Sequence, residues 1–405
     1  MGTPPLTRRA VFSLAGLVAV AYGTQLYALS VMVTEKAAGG EFSISLLSAG
    51  FGGAAIVAGL SAPLVGRIAD RHSVRGLIGF GALMSGGAFG LFAVATEGWQ
   101  IVAAFWLLLG PATAMTGYEP AYVAIGQWIL PSERNRAIAL VSVVGGFAGP
   151  IFIPLTGWMV TTIGWRFASG VLGMTMVVVG GVGAFIFLPK GGPPAEAVSS
   201  ASSVPWRRFV EDRRLFAFSA AVLVSFGVLS TVFLHRVAVF QEAGFDVRYV
   251  ALLAGMSSLF TFPGRWLAPR MAERVPAISI FVGSCAALAG VMMFAVVASP
   301  AWVMWAFFAL FGVFFGVLLP MRAVIMNEWY AGEDFGLLMG KQWSLAALAG
   351  GAMPWIGGVL RDALGSYVVP MLIVVVGMAV AAALGVAASR ASDDIARRVA
   401  TDTIG

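Results

Sequence analysis

Runs of about twenty apolar residues, each long enough to cross roughly 30 Å of hydrocarbon as an α-helix, recur along the whole chain. They fall near 11–33, 44–66, 76–95, 99–127, 137–160, 166–188, 215–239, 249–269, 277–298, 301–328, 336–359 and 367–388. Lipid offers the backbone no hydrogen-bond partner, so a spanning segment must be a helix or belong to a closed barrel, and these runs lack the strict alternation of a barrel strand. The expected fold class is an all-α membrane protein with twelve transmembrane helices in two sets of six. Composition agrees: 59% of the 405 residues are apolar and 11% charged, where soluble domains carry about a quarter charged. The first run follows Arg8 and Arg9 but contains Tyr22, Gln25 and Tyr27 and lacks a convincing cleavage site. It reads as a helix and not as a signal peptide.

Most of the basic residues lie in the loops of one side, among them Arg67, Arg71, Arg75, Arg134, Arg136, Arg207, Arg208, Arg213 and Arg214; the other side holds Lys36, Arg166, Arg248 and Arg361. The asymmetry predicts a multi-pass cell-membrane protein with both termini cytoplasmic. The formal charge of +6 is then a topology signal. Scattered over short loops, it makes no basic groove, and no nucleic acid partner is expected. A lone Cys285 excludes an intrachain disulfide and a cysteine metal cluster. Neither a zinc H-E-x-x-H, a G-x-S-x-G elbow nor a Walker loop is present, so no enzyme, metal or cofactor is expected. A monomer in the lipid bilayer is the expected state.

The segment KGGPPAEAVSSASSVPWRRFVEDRR, residues 190–214, is rich in Pro, Gly and Ser before turning charged, and reads as a cytoplasmic linker with a short amphipathic end. It separates an N-terminal bundle (1–189) from a C-terminal bundle (215–390), followed by a tail (391–405). The bundles resemble each other: GQWILPSERNRAIAL, GPIFIPLTGWM and GW run parallel to NEWYAGEDFGLLMG, GAMPWIGGVL and GSY, with Trp128 and Trp329, then Gly164 and Gly365, sharing one offset. LVGRIADR likewise parallels LAPRMAER.

Two parallel six-helix repeats joined by a linker resemble the major facilitator transporters, whose substrate sites lie between the halves. The stretch from Gly66 to Arg75 after the second run resembles that superfamily's G-x-x-x-D-R-x-G-R-R/K signature, with Ser73 and Val74 in place of Gly and Arg. The resemblance implies a cytoplasmic gating latch for Gly66, Asp70, Arg71 and Arg75, bridging to the other half; an ordinary positive-inside loop is the plain alternative.

Within the runs the charges are few: Arg236, Arg265, Arg322 and Lys341, all in the second half, against Glu119 well inside a span and Glu328 near a membrane face. A buried cation costs about 2.5 to 3.5 kcal/mol at mid-helix, so it should face water, a carboxylate or a substrate. Ser257, Thr261 and Arg265 are spaced by four and form one polar stripe, the pattern of a cavity wall. FPGRWLAPRMAER resembles the eighth helix of the monocarboxylate and oxalate/formate transporters, which implies that Arg265 contacts a substrate carboxylate. Snorkelling to headgroups, or pairing with Glu119, are the alternatives for that arginine. The family's aspartate four residues before the arginine is Thr261 here, and no lysine lies in the first run. Glu119 is the substitute proton carrier, with Tyr118 and Tyr122 beside it as hydrogen-bonding groups; a fixed pair with Arg322 is its alternative. One of Tyr22 or Gln25 is expected to face the cavity. His235 and Arg236 are expected near the outer end of their helix, the histidine as a structural hydrogen-bonding group.

These features predict alternating-access transport of a small organic anion, a monocarboxylate foremost, with protons as a candidate coupling partner. The competing reading is a drug or metabolite exporter of the same superfamily. Gly145, Gly149 and Pro150 partly match the antiporter pattern, whereas Ile153 and Pro154 stand where its last glycines belong.

Overall fold

The computed structural model describes residues 5–34, 37–71, 73–129, 131–189, 205–330 and 335–402, and among them no strand occurs. Eleven helices are long and apolar enough to span a membrane. With one further helix, α8, the chain order is α1 (Arg9–Met32), α2 (Ile44–Ala62), α3 (Val74–Val94), α4 (Gly98–Ile125), α5 (Leu140–Ile163), α6 (Trp165–Phe187), α7 (Arg213–Glu242), α8 (Val247–Leu259 and Thr261–Ala272), α9 (Ala277–Val297), α10 (Ala301–Tyr330), α11 (Leu338–Leu364) and α12 (Val368–Asp394). The expected twelve-helix, all-α architecture is what the chain adopts.

Three details differ from the sequence reading. The run near 249–269 is not one helix but two pieces meeting at Phe260. Pro263 lacks an amide hydrogen and crowds the preceding turn, so the backbone bond that would cross the break cannot form. The stretch from Gly66 to Arg75 is not a loop: the helix carrying α2 continues to Arg71, and the next helix begins at Val74. The described part of the expected tail is also helical, since the last helix runs from Val368 to Asp402. Helix α1 contains a π-helical stretch, Gly23–Tyr27, whose wider turn changes which side chains share a face.

The internal repeat has a backbone counterpart. Gly164 (φ 77°) and Gly365 (φ 69°) both take the left-handed conformation, one before α6 and one before α12, where a Cβ would be strained.

The two sets of six meet along α2 against α11 and α5 against α8. At the α2–α11 seam the chains touch backbone to backbone: a Cβ on Gly52 would collide with the Gly351 carbonyl, and one on Gly351 would sit 2.6 Å from the Gly52 carbonyl oxygen. A Cβ on Gly358 would lie 2.8 Å from Ser48 Oγ. Along α5–α8, Gly157 abuts Ala251 and Gly255 abuts Pro154. At the end of the bundle away from the termini, the Ser45 amide donates to Asp362 Oδ2 at 2.7 Å. There Arg248 donates through Nε to Thr161 and through its terminal nitrogen to Thr162 at 3.2 Å. Toward the termini, Leu60 of α2 and Leu64 in its helical continuation, Trp266 of α8 and Trp343 of α11 are exposed.

His235 sits inside this seam, fully buried. Its Nε2 lies 2.9 Å from the Pro354 carbonyl and 3.3 Å from Ser48 Oγ, and its Nδ1 is 3.0 Å from the Tyr367 hydroxyl. A carbonyl only accepts, so Nε2 carries the proton and Nδ1 accepts from Tyr367. The histidine joins both sets structurally.

Between α1 and α2, Glu41 accepts from Trp165 Nε1 at 2.9 Å and from Arg166 at 2.6 Å, while Arg166 also donates to the Ala93 carbonyl at 2.9 Å. The Trp165 indole first, then the Arg166 guanidinium, hold the Glu41 carboxyl below its ordinary range. A depressed folded-state pKa contributes stability above the unfolded value that is lost as pH falls through the folded one. The melting temperature of wild type minus that of Glu41→Gln is therefore expected to be positive at pH 7 and to shrink between about pH 5 and 3. The difference is small, because the pair is half exposed and screened. A difference independent of pH in that window would remove this role.

Candidate functional site

Where α8 breaks, its two pieces press on α10 through glycines. A Cβ on Gly264 would lie 2.7 Å from the Val317 amide nitrogen, Gly312 faces the Ser257 carbonyl and Gly316 faces the Thr261 carbonyl. This close approach fixes the face of α8 that carries Ser257, Ser258, Thr261 and Arg265. Those four side chains line one pocket together with Tyr27 of α1, Gly146 of α5, Phe233 and Arg236 of α7, and Phe311 and Phe315 of α10. The pocket therefore lies between the two sets. Its free volume is ≈ 20 Å³, about enough for one water.

The polar chemistry of the wall is directional. Ser257 spends its hydroxyl proton on the Ala254 carbonyl at 2.8 Å, and Thr261 spends its own on the Ser258 carbonyl at 2.7 Å. Ser257 can then accept, and it does, from Arg236 at 3.1 Å. Arg236 is 2% exposed, with its guanidinium 5.1 Å from the Phe233 ring centre and 5.8 Å from that of Phe311. Its Nε and second terminal nitrogen have no hydrogen-bond partner. Arg265, by contrast, is exposed and lies 5.9 Å from the Phe262 ring centre. Among the described residues of this wall there is no acidic side chain.

The structure distributes the other predicted site residues elsewhere. Gln25 is buried and bound within the first set: its amide donates to Ser85 at 3.2 Å and to Thr116 at 3.0 Å. Tyr22 and Gln25 line a separate cavity of ≈ 100 Å³ with Phe51, Leu109 and Thr113, so the expectation that one of them faces the arginine pocket is corrected. The side chain of α1 that does so is Tyr27, two residues after Gln25 and five after Tyr22, at the end of the π-helical stretch. Tyr118 lies between Tyr22, whose ring is tilted against it at 4.7 Å, and Tyr122, stacked on it at 5.7 Å, and the Tyr122 hydroxyl lies 3.2 Å from Ser142 Oγ. They form a ladder from α1 across α4 to α5.

The side chains of Glu119, Asp70 and Arg71 lie outside the described residues, and Gly66 is known only by its helical backbone. Arg322 donates to Gln342 Oε1 at 2.9 Å and to the Met339 carbonyl at 2.5 Å, and stands 5.0 Å from the Trp343 ring centre. Arg75 lies 5.2 Å from the Phe185 ring centre of α6. That contact is inside the first set and not a bridge to the second. Arg236, six residues before the end of α7, lines the pocket and is 2% exposed; its place along the helix could not by itself reveal this, because a helix of 30 residues exceeds the membrane thickness and its tilt is set by packing.

A bundle of twelve helices with a polar pocket between two six-helix sets defines a multi-pass membrane transporter. The model of the Major Facilitator Superfamily matches residues 12–318, and the chain belongs to that superfamily, whose members carry solutes and are not enzymes. The uncharacterized MFS-type transporter YcxA of Bacillus subtilis (strain 168) is 23% identical over 340 residues, which cover 80% of this chain and 81% of that one. Among solved structures, a bacterial homolog of the human lysosomal transporter Spinster, inward-facing and unoccupied, has TM-score 0.74 at 16% identity, covering 96% and 98% of the two chains. The nucleoside transporter NupG has TM-score 0.76 at 13% identity, covering 95% and 99%. A D-xylose-proton symporter has TM-score 0.70 at 14% identity, covering 93% and 97%. These likenesses establish the fold.

Proposed function

We propose that the chain is a secondary active transporter of a small organic anion, with a monocarboxylate as the minimal ligand, and that Arg265 binds its carboxylate. The observation that carries this reading is Arg265 standing exposed on the wall of a pocket between the two sets, beside Thr261 and Ser257. A guanidinium there offers a carboxylate two parallel donors, and the aromatic walls keep competing water low. Bound anion neutralises the site and favours closure, after which the halves, residues 1–189 and 215–390 joined by 190–214, rock about it. With both termini cytoplasmic, the sealed seam is the outer gate and the exposed ends of α2, α8 and α11 border the inner opening. Gly66, Asp70 and Arg71 would then control closure of that inner side.

Thermal unfolding of the detergent-purified protein tests the substrate class. Short carboxylates such as propionate should raise the melting temperature, since a ligand of the folded state stabilises by mass action. Stabilisation by cationic drugs and by none of the carboxylates would overturn the reading.

Glu119 supplies the coupling hypothesis. If it carries the proton, Glu119→Gln should abolish proton-driven accumulation in proteoliposomes yet leave exchange of internal for external anion running, because exchange needs no net proton movement. Loss of both activities together, with the protein correctly inserted, would remove Glu119 as the carrier.

A further inference from the structure

Arg236 is buried in a way that the other enclosed arginine of the second set is not. Arg322 spends its donors on the Gln342 side chain and the Met339 carbonyl. Arg236 has one bond, from Nη1 to Ser257, and leaves Nε and Nη2 without a partner. Those two nitrogens form one edge of the guanidinium, the edge whose two parallel N–H bonds match the two oxygens of a carboxylate. An uncompensated buried cation is costly, and a protein retaining one needs something to meet it. Arg265 stands on the same pocket, and among the described residues there no acid answers either charge.

We propose that Arg236 is a second anion-binding side chain and that the preferred substrate is a short dicarboxylate, with one carboxylate on Arg265 and the other on the free edge of Arg236. This rests on the anion-carrier reading of Arg265. A monoanion leaves one of the two cations unneutralised in a low-dielectric site, whereas a dianion answers both. Ser257, which holds Arg236, and Arg265 stand on the two pieces of α8, one on either side of the break at Phe260, and Arg236 and Arg265 line the same pocket. Between them Phe233, Phe311 and Phe315 present apolar walls suited to a methylene spacer, while Ser258 and Tyr27 add hydroxyls. The present free volume admits water and not a dicarboxylate, so binding requires the pocket to widen; Arg265, exposed on its rim, is the group placed to swing aside.

Calorimetric titration of the detergent-purified full chain with acetate and propionate, and with malonate, succinate and glutarate, tests the proposal. The best dicarboxylate should bind about tenfold or more tightly than propionate, the effect of one added charge-assisted contact. Arg236→Gln should bring that ratio close to one, and Arg236→Lys, which keeps the charge without the two-pronged edge, should lower it partway. Arg265→Gln should weaken both series. Equal affinity of wild type for the two series, or a preference that survives Arg236→Gln, would overturn the dicarboxylate proposal; carboxylates that still bind through Arg265 would then leave the anion-carrier reading standing. Failure of every carboxylate to bind wild type would overturn both. Should both Arg236 variants fail to insert, the wild-type comparison decides alone.

Discussion

Replacing Arg265 by lysine should weaken carboxylate binding by about tenfold or more, although the charge is kept. Lysine is a point donor and cannot make the two parallel bonds of a guanidinium, and each charge-assisted hydrogen bond is worth about 1.5 to 3 kcal/mol. Arg265→Ala should abolish measurable binding while the protein still inserts. Insertion should survive because the side chain is exposed and its ring contact is with Phe262 of its own helix piece, so truncation opens no core cavity. The measurement is ligand affinity by tryptophan quenching, with folding checked separately by size-exclusion chromatography. Wild-type affinity in Arg265→Ala would mean that the arginine only snorkels, and the carrier would lose its main ligand.

Gly52→Leu should stop transport with a comparable loss, for an unrelated reason. The α2–α11 seam has no room at this position: an added Cβ already meets the Gly351 carbonyl, and leucine adds three carbons more. Overpacking of this kind costs about 1 to 3 kcal/mol or more, enough to shift a balance between two conformations by about fivefold to more than a hundredfold. The seam should be held open. In a Cys285→Ser background, a cysteine placed at Ser48, which is fully buried in the closed seam, should react faster with a soluble maleimide once Gly52→Leu is added. An unchanged labelling rate in inserted protein would show that the seam yields without opening.

How far the sequence could be read depended on which physical signal carried each feature. Spans announce themselves by apolar length, and α8 is the exception because Arg248, Arg265 and Arg270 dilute its hydropathy and Pro263 interrupts it. That proline was visible, yet prolines also occur inside α10 and α11 at Pro320 and Pro354 with the helix unbroken, so its presence alone does not locate a break. The stripe of Ser257, Thr261 and Arg265 follows from helical spacing, which survives because the break falls between turns. A period of 3.6 residues groups Tyr22 with Gln25 and leaves Tyr27 aside, as the two cavities do; Tyr27 was missed because the period does not say which face of α1 meets the other set. The unpaired edge of Arg236 was illegible in principle. Hydrogen bonds between helices distant in the chain leave no periodic trace in a single sequence.

The bonds that close the seam have a consequence for how it opens. Ser45 to Asp362 joins an amide to a carboxylate, Arg248 to Thr161 and Thr162 joins a guanidinium to hydroxyls, and His235 meets the neutral Ser48 hydroxyl. Among the described residues, no ion pair joins the two sets: Glu41 pairs with Arg166 in the first, Arg361 with Glu242 and Asp362 in the second, and Arg207 with Glu211 in the linker. Separating the sets at this end therefore pulls no cation away from an anion. Attraction between a charge and a dipole fades much faster with distance than attraction between two charges, so once these contacts part by a water's width little force remains to draw them back. Added salt, which weakens interactions between full charges over about 10 Å, has correspondingly little to act on at this gate.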